Sequence, residues 1–218
     1  MNLNDIVDEI YVINLRSRKD RLAHVTNQFF QIGSHFTRVE ACEVGGKITS
    51  MENAMSYSWI KVLEDAINKG NTIIAVCEDD VVFRRQLIED LPELEKQISA
   101  TDFDVLSAHH YAEKPSYSRE LLNVPEESKV FIKKVAQKPW CTHFLILKNL
   151  SMWLDHLKHT VSKHPARKFD DTMTVFRTKS YVTSKEYCFQ LDDFSNLKNR
   201  VYPRFQQKNR YKDVINDT

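Results

Sequence analysis

The sequence predicts an α/β fold built on a mostly parallel sheet with helices on both faces. Over residues 9–108, short runs rich in β-branched and aromatic residues alternate with longer amphipathic segments, which is the order of a parallel sheet with crossover helices. The 218 residues are 42% hydrophobic and include 12 Phe, 8 Tyr and 3 Trp, enough for a sizeable core. We expect one domain over residues 1–200 and a basic tail over residues 201–218.

The first strand and helix have clear signals. The run "EIYVINL", residues 9–15, is β-branched and aromatic, as is typical of a buried strand. The next segment, residues 17–33, has apolar residues at helical spacing, with Ser17 as a predicted N-cap and Gly33 at the C-terminal end. The alternating run "HFTRVEA", residues 35–41, predicts the second strand.

The remaining elements are predicted from the same two patterns, apolar residues at helical spacing for helices and short apolar or alternating runs for strands. A turn is predicted at Gly45 and Gly46, where positive φ is available. The long stretch over residues 110–128 predicts a loop of the kind that often forms a lid or substrate wall. Helices are predicted over residues 51–70, 84–99 (despite Pro92) and 148–164, and strands over residues 71–77, 103–108, 129–135 and 141–147.

Composition excludes some classes of protein. The formal net charge of +1 argues against a nucleic-acid coat or an acidic tail protein. Cys42, Cys77, Cys141 and Cys188 form no CxxC pair, so we expect buried free thiols in a reducing compartment and no zinc site. The N-terminus has no signal-peptide pattern and no apolar run approaches the ~20 residues of a membrane span. We therefore expect a soluble, cytoplasmic protein.

Three consecutive carboxylates, Glu78, Asp79 and Asp80, follow the central strand within "AVCEDDVVF". Ligands of open α/β sheets bind at the carboxyl ends of strands, and a divalent cation such as Mn²⁺ or Mg²⁺ would relieve the repulsion among these groups. Because residues i and i+2 of a strand share a side, Glu78 and Asp80 would face the site while Asp79 turns away. The alternative, a solvated acidic turn, is about equally common for such a cluster.

Four stretches occur in a recognisable order: "YVINLRSRKDRL", "FTRVEA", "SYSWIKVLEDAINKG" and "AVCEDDVVF". Together they resemble glycosyltransferase family 25, which contains lipooligosaccharide galactosyltransferases and related collagen galactosyltransferases. The resemblance is close over residues 10–83 and loose towards residue 197. It implies a GT-A-like (Rossmann-like) fold that uses a UDP-sugar and Mn²⁺ (or Mg²⁺).

The same resemblance implies roles for individual residues. Glu78 and Asp80 correspond to the family's metal- and nucleotide-binding acidic pair. The donor's base would lie against Asn14 and Leu15, and guanidinium groups near the nucleotide can grip phosphate bidentately. The implied donor-binding residues are Asn14, Leu15, Arg18, Arg21, Glu78 and a pocket wall from Arg38 to Ala41.

Two positions bear on catalysis. The stretch "KFDDTM" resembles a family motif that maps Asp170 onto an Asp, and we expect Asp170 to be the base that takes the acceptor's proton. Its alternative role is to cap the following helix. Where the family has Ser-His, this chain has Ser58-Trp59, and we expect Trp59 to line the donor or acceptor pocket.

The expected function is transfer of a hexose, galactose or glucose, from a UDP-sugar to a hydroxyl of a glycan, glycolipid or other acceptor. Two alternatives stay open. One is a nucleotide-sugar-binding pseudoenzyme, suggested by Trp59. The other is a viral-type transferase that glycosylates a modified nucleic-acid base, which the small chain and basic tail allow. The tail would also suit peripheral contact with an anionic membrane.

Overall fold

The computed structural model describes residues 1–108, 132–134, 143–164, 178–191, 194–195 and 200–201. Asp170, Cys141, the loop predicted over residues 110–128 and the tail from residue 202 onward lie outside the described residues. Among the helices that are described, none is long and apolar enough to cross a bilayer.

A seven-stranded sheet forms the centre of the described structure. The chain begins with a 3-10 turn, Leu3–Asp5, and contains four described α-helices. The helices are α1 (Lys19–Gln31), α2 (Met51–Asn68), α3 (Gln86–Ala100) and α4 (Leu150–Lys163). The strands are β1 (Glu9–Asn14), β2 (Thr37–Glu40), β3 (Ile74–Glu78), β4 (Val81–Phe83), β5 (Val105–Ser107), β6 (Ile132–Lys134), β7 (Phe144–Leu147), β8 (Ser180–Thr183), β9 (Cys188–Gln190), β10 (Phe194–Ser195) and β11 (Arg200–Val201).

The strand order across the sheet is β2-β1-β3-β7-β5-β8-β6. Strands β1, β2, β3, β5 and β8 run in one direction, and β6 and β7 run in the other. Two smaller antiparallel pairs, β4 with β9 and β10 with β11, complete the described strands.

Helices cover both faces of this sheet. On one face, Val25 and Phe29 of α1 join the core residues of α3 around Ile10 and Val12 of β1. On the other face, the apolar sides of α2 and α4 pack together around Tyr11 of β1. Alternate residues of β1 thus enter opposite cores, as a period of two requires. The predicted α/β class, a mostly parallel sheet with helices on both faces, is confirmed.

One feature of the sheet differs from a simple parallel order. The antiparallel strand β7 lies between β3 and β5, which therefore do not pair. All four β7 residues are buried, and a strand buried on both faces has a continuous apolar run that carries no sign of its direction.

The ends of α1 illustrate which local signals hold. Its N-cap is Arg18, without a side-chain cap, so the prediction of Ser17 as the cap is wrong. At the other end Gly33 has φ +67, and its N–H donates to the carbonyl of Phe30 at 3.1 Å. This is the left-handed helix end that glycine favours.

Cysteine use follows the prediction where it can be checked. Cys77 and Cys188 are buried free thiols, and Cys42 is a half-buried one.

Candidate functional site

The acidic triplet lies at the carboxyl edge of the parallel strands. In the register, Ile13 of β1 pairs with Glu78 of β3, and Asn14 pairs with Glu40 of β2. β3 ends at Glu78, so Asp79 and Asp80 form a turn before β4. The reasoning from strand alternation therefore does not apply to Asp79 and Asp80, although the grouping it predicted does occur.

Glu78 and Asp80 come together with a third residue, His143. One possible ligand atom from each lies within 4.8 Å of the others. His143 immediately precedes β7, and its Nδ1 is 3.9 Å from Glu78 Oε2. His143 is 5% exposed and Asp80 1% exposed, so two of the three groups are shielded from bulk water. This group could hold a metal ion.

The surroundings of Asp80 fit a cation. Its Oδ2 accepts a hydrogen bond from Gln190 Nε2 at 2.5 Å, whereas its Oδ1 is buried and has no hydrogen-bond partner among the described residues. A buried carboxylate oxygen without a partner is costly, and a metal ion would remove that cost. The carboxylate and imidazole donors suit a divalent ion such as Mn²⁺.

Asp79 has a different set of partners. It accepts hydrogen bonds from Asn14 Nδ2 at 2.7 Å and from Arg21 at 3.1 Å. Burial raises the pKa of the Asp79 carboxyl, and the charge of Asp80 raises it further, against the opposing effect of Arg21. Asp79 is thus a buried acid held by neighbouring donors rather than a member of the candidate metal group.

Arg21 bridges the two aspartates. One terminal nitrogen, Nη1, is 3.1 Å from Asp79 Oδ1 and 3.2 Å from Asp80 Oδ2, and the side chain is 13% exposed. Burial alone would lower the pKa of this guanidinium, but the charges of Asp80 and Asp79 outweigh it. Arg18 is engaged with Asp20 through Nε and Nη2. Both arginines predicted to lie near the nucleotide are therefore paired with carboxylates.

Asn14 forms hydrogen bonds with residues at the ends of the neighbouring strands. Its Nδ2 donates to Asp79 and to the carbonyl of Arg18 (3.0 Å), and its Oδ1 accepts from Arg38 Nε (2.9 Å). Its main-chain carbonyl accepts from the Ala41 N–H at 3.0 Å. Three predicted donor-binding residues, Asn14, Arg38 and Ala41, are thus in direct contact, and the half-buried Leu15 follows Asn14.

A cleft of about 1130 Å³ opens beside Asn14, between α1 and the edge strand β2. Two of its cations, Arg16 and Lys19, are exposed and pair with no acid among the described residues. Its apolar part includes Leu22 and the 80% exposed Phe30. The lining residues are Asn14, Arg16, Lys19, Leu22, Ala23, Thr26, Asn27, Phe30, Arg38 and Glu40. The cleft can accept a ligand with both an anionic and an apolar part.

The prediction that Trp59 lines the pocket is wrong. Its side chain is 0% exposed and belongs to the core between α2, α4 and the sheet, with neighbours such as Leu63 and Trp153. One helical turn separates Trp59 from Leu63, so both lie on the buried face of α2. The bulky indole fills space in this core.

Sequence reasoning missed His143 as a site residue and gave Gln190 no role of its own. Gln190 begins the stretch "QLDDFSNL", which loosely resembles the end of the family 25 pattern. His143 stands in "CTHFLIL", where one ionisable residue inside an otherwise apolar strand is an unusual feature. That irregularity was the available signal for His143.

No protein-family model matches the chain, and no curated protein matches it. Among solved structures it is similar to A197 from STIV, with 15% identity over 88% of this chain and 91% of that one, at a TM-score of 0.44. It is also similar to a glycosyltransferase involved in the glycosylation of the major capsid of PBCV-1, with 12% identity over 79% and 80% of the two chains, at a TM-score of 0.44. Membership of glycosyltransferase family 25 is not supported by these comparisons.

Proposed function

We propose that this protein is a metal-dependent hexosyltransferase that uses a UDP-sugar, with galactose or glucose as the sugar. The acceptor would be a hydroxyl of a glycan, glycolipid or other molecule. The observation that carries the proposal is the group of Glu78, Asp80 and His143 at the carboxyl edge of the sheet. The cleft lined by Asn14 also contains Arg16 and Lys19, which pair with no acid among the described residues.

A nucleoside diphosphate fits this combination of features. Its phosphates need a divalent cation and basic side chains, and its base needs a partly apolar wall. Asn14 lines the cleft and also bonds Asp79 beside the candidate metal ligands. Because neighbouring strands are about 4.8 Å apart, the ends of β2 and β3 lie roughly 10 Å from each other across β1. One extended ligand can therefore reach both the cleft and the metal group.

The residues would divide the work as follows. Glu78, Asp80 and His143 would hold Mn²⁺ or Mg²⁺, and Gln190 would orient Asp80 through its hydrogen bond. Bound metal would supply stabilisation of the charge on the leaving diphosphate. The acceptor oxygen forms a bond to the anomeric carbon as the bond to the diphosphate breaks. Asp170 would take the hydroxyl proton, a role that stays a prediction.

The test is UDP binding measured by calorimetry in Mn²⁺ and in EDTA. We expect tight binding only with Mn²⁺, and weaker binding when Arg16 and Lys19 are both changed to alanine, because the phosphates lose two cations. Lys163→Ala, an exposed lysine at the end of α4, is the matched control. Equal affinity in Mn²⁺ and EDTA contradicts the metal part, and an unchanged double variant contradicts the cleft as the nucleotide site.

Of the two alternatives, the pseudoenzyme hypothesis has less support, because it rested on Trp59 as a pocket residue and Trp59 is in the core. Turnover of a UDP-sugar with any acceptor removes it. The nucleic-acid hypothesis, like the proposed membrane contact, rests on the tail from residue 202 onward, and salt-sensitive DNA binding would be its signature.

A further inference from the structure

We infer that His143 is a nitrogen ligand of the metal and that it makes the site prefer Mn²⁺ to Mg²⁺. The inference rests on the proposed function, because it concerns the metal that this function requires. It gives the one nitrogen donor of the group a specific role and adds a rule for which ion the site accepts.

The sheet itself puts His143 in position. β7 runs antiparallel to β3, and Cys77 pairs with Phe144, so the next residues along, Glu78 and His143, face each other. The Glu78 N–H donates to the His143 carbonyl at 3.4 Å. Residues opposite each other in an antiparallel pair have neighbouring side chains, and the imidazole Nδ1 is accordingly 3.9 Å from Glu78 Oε2.

The distances among the three candidate ligand atoms are close to those of a metal site. Metal–nitrogen and metal–oxygen bonds of about 2.0–2.2 Å set two ligand atoms of one ion roughly 3–4.4 Å apart. The three candidate atoms lie within 4.8 Å of one another, so a small movement of the side chains would bring them onto one ion. Asp80 Oδ1, which is buried and has no hydrogen-bond partner in the part of the chain that is described, independently indicates a cation site in the same place.

The donor set decides which ion is preferred. Mg²⁺ takes oxygen ligands almost exclusively and gives up its waters reluctantly. Imidazole suits transition-metal ions, which bind nitrogen more readily than Mg²⁺ does. Glu78 and Asp80 alone would serve either ion. Adding His143 favours Mn²⁺, and replacing it by a carboxylate would create an all-oxygen site that favours Mg²⁺.

The experiment uses the full chain and a direct spectroscopic readout. Mn²⁺ is titrated and followed by electron paramagnetic resonance, and electron-spin-echo modulation is recorded on the bound ion. We expect a coupling to ¹⁴N in the wild type that is lost in His143→Gln. We also expect Mn²⁺ affinity to fall on the order of 10- to 100-fold, at least the range found when a partner of a metal ligand is removed. His159→Gln, at an exposed histidine of α4, should change neither.

A second variant tests selectivity. His143→Asp should raise the affinity for Mg²⁺ relative to Mn²⁺, measured by competition against the bound Mn²⁺ signal. Mn²⁺ bound to the wild type without ¹⁴N coupling overturns the inference even if both variants fail to fold, and it leaves the proposed function standing. An unchanged Mn²⁺/Mg²⁺ ratio in folded His143→Gln also overturns it. Absence of any Mn²⁺ binding overturns both the inference and the metal part of the proposed function.

Discussion

Asp80→Asn separates the role of Asp80 in metal binding from its role in folding. Without metal, Asp79 and Asp80 are two buried carboxylates that share one guanidinium, Arg21. The substitution removes one of these like charges and keeps an oxygen to accept from Gln190 Nε2. It loses the ion pair with Arg21, which still has Asp79. The gain and the loss are each about 1 kcal/mol, so the metal-free variant should unfold at or slightly above the wild-type temperature.

With metal bound, the wild type should unfold at a higher temperature than Asp80→Asn. An ion that binds only the folded state at a hundred times its Kd stabilises it by about 2.7 kcal/mol. For a chain of this length that is a rise in Tm of about 5–11 °C. Asp80→Asn should lose most of this rise, together with turnover, because it removes a ligand whose Oδ1 has no other described partner.

The assay is a melting curve in EDTA and in saturating Mn²⁺ for the wild type, Asp80→Asn and Asp155→Asn. Asp155 is an exposed residue of α4 and serves as the charge-matched control, which should melt like the wild type under both conditions. A Mn²⁺ shift of equal size in Asp80→Asn and the wild type refutes Asp80 as a ligand. Unfolding of the variant in EDTA makes the triplet structural.

Three further predictions use other parts of the chain. Trp59→His should destabilise the protein by roughly 3 kcal/mol in urea unfolding, because it exchanges a fully buried indole for a smaller polar ring; a loss below about 1 kcal/mol contradicts its place in the core. Asp170→Asn should lower kcat on the order of 10²–10⁴ with UDP-sugar affinity unchanged, and a loss of donor affinity instead assigns it to the donor or metal site. Burial would raise the pKa of Glu9, but hydrogen bonds from Thr37, Lys69 and other donors outweigh it and lower that pKa from 4.5 to about 2. The folded form then prefers the ionised group, so the wild type should be more stable than Glu9→Gln by about 1–2 kcal/mol after screening. This difference in unfolding free energy should be full above about pH 5 and vanish as the pH falls towards 2. A difference that does not change with pH contradicts the prediction.

The sequence predicted the four α-helices and the strands β1, β2, β3, β5, β6 and β7, because their signals are local, but it did not predict β4, β8, β9, β10 or β11. Helix α3 continues through Pro92 as expected, and α2 begins at Met51 after the N-cap Ser50, whose side chain accepts from the Asn53 N–H. The direction and place of β7 could not be predicted, because strand pairing depends on contacts between distant residues. Its "FLIL" run is equally compatible with either direction.

The same limit explains what was missed in the site. Glu78 and Asp80 are two positions apart in the chain, so an acidic motif was enough to group them. His143 is 65 positions from Glu78, and it reaches the site only because β7 is the antiparallel neighbour of β3. The miss of His143 is therefore a consequence of the miss in sheet topology. Gln190 depends in the same way on the pairing of β4 with β9.

Two oddities of the sequence have one explanation. Basic residues in the first turn of a helix oppose its dipole, and three adjacent carboxylates at a strand end repel one another. Arg21 lies in the first turn of α1 and bridges Asp79 and Asp80, so each group offsets the cost of the other. With Glu78, Asp79 and Asp80 ionised, the triplet carries three negative charges and Arg21 neutralises one. The remaining two match a single divalent cation, so the arrangement has the charge, as well as the donor atoms, that such an ion requires. Bound phosphate is then needed to explain only Arg16 and Lys19, because the third cation that lines the cleft, Arg38, donates to Asn14.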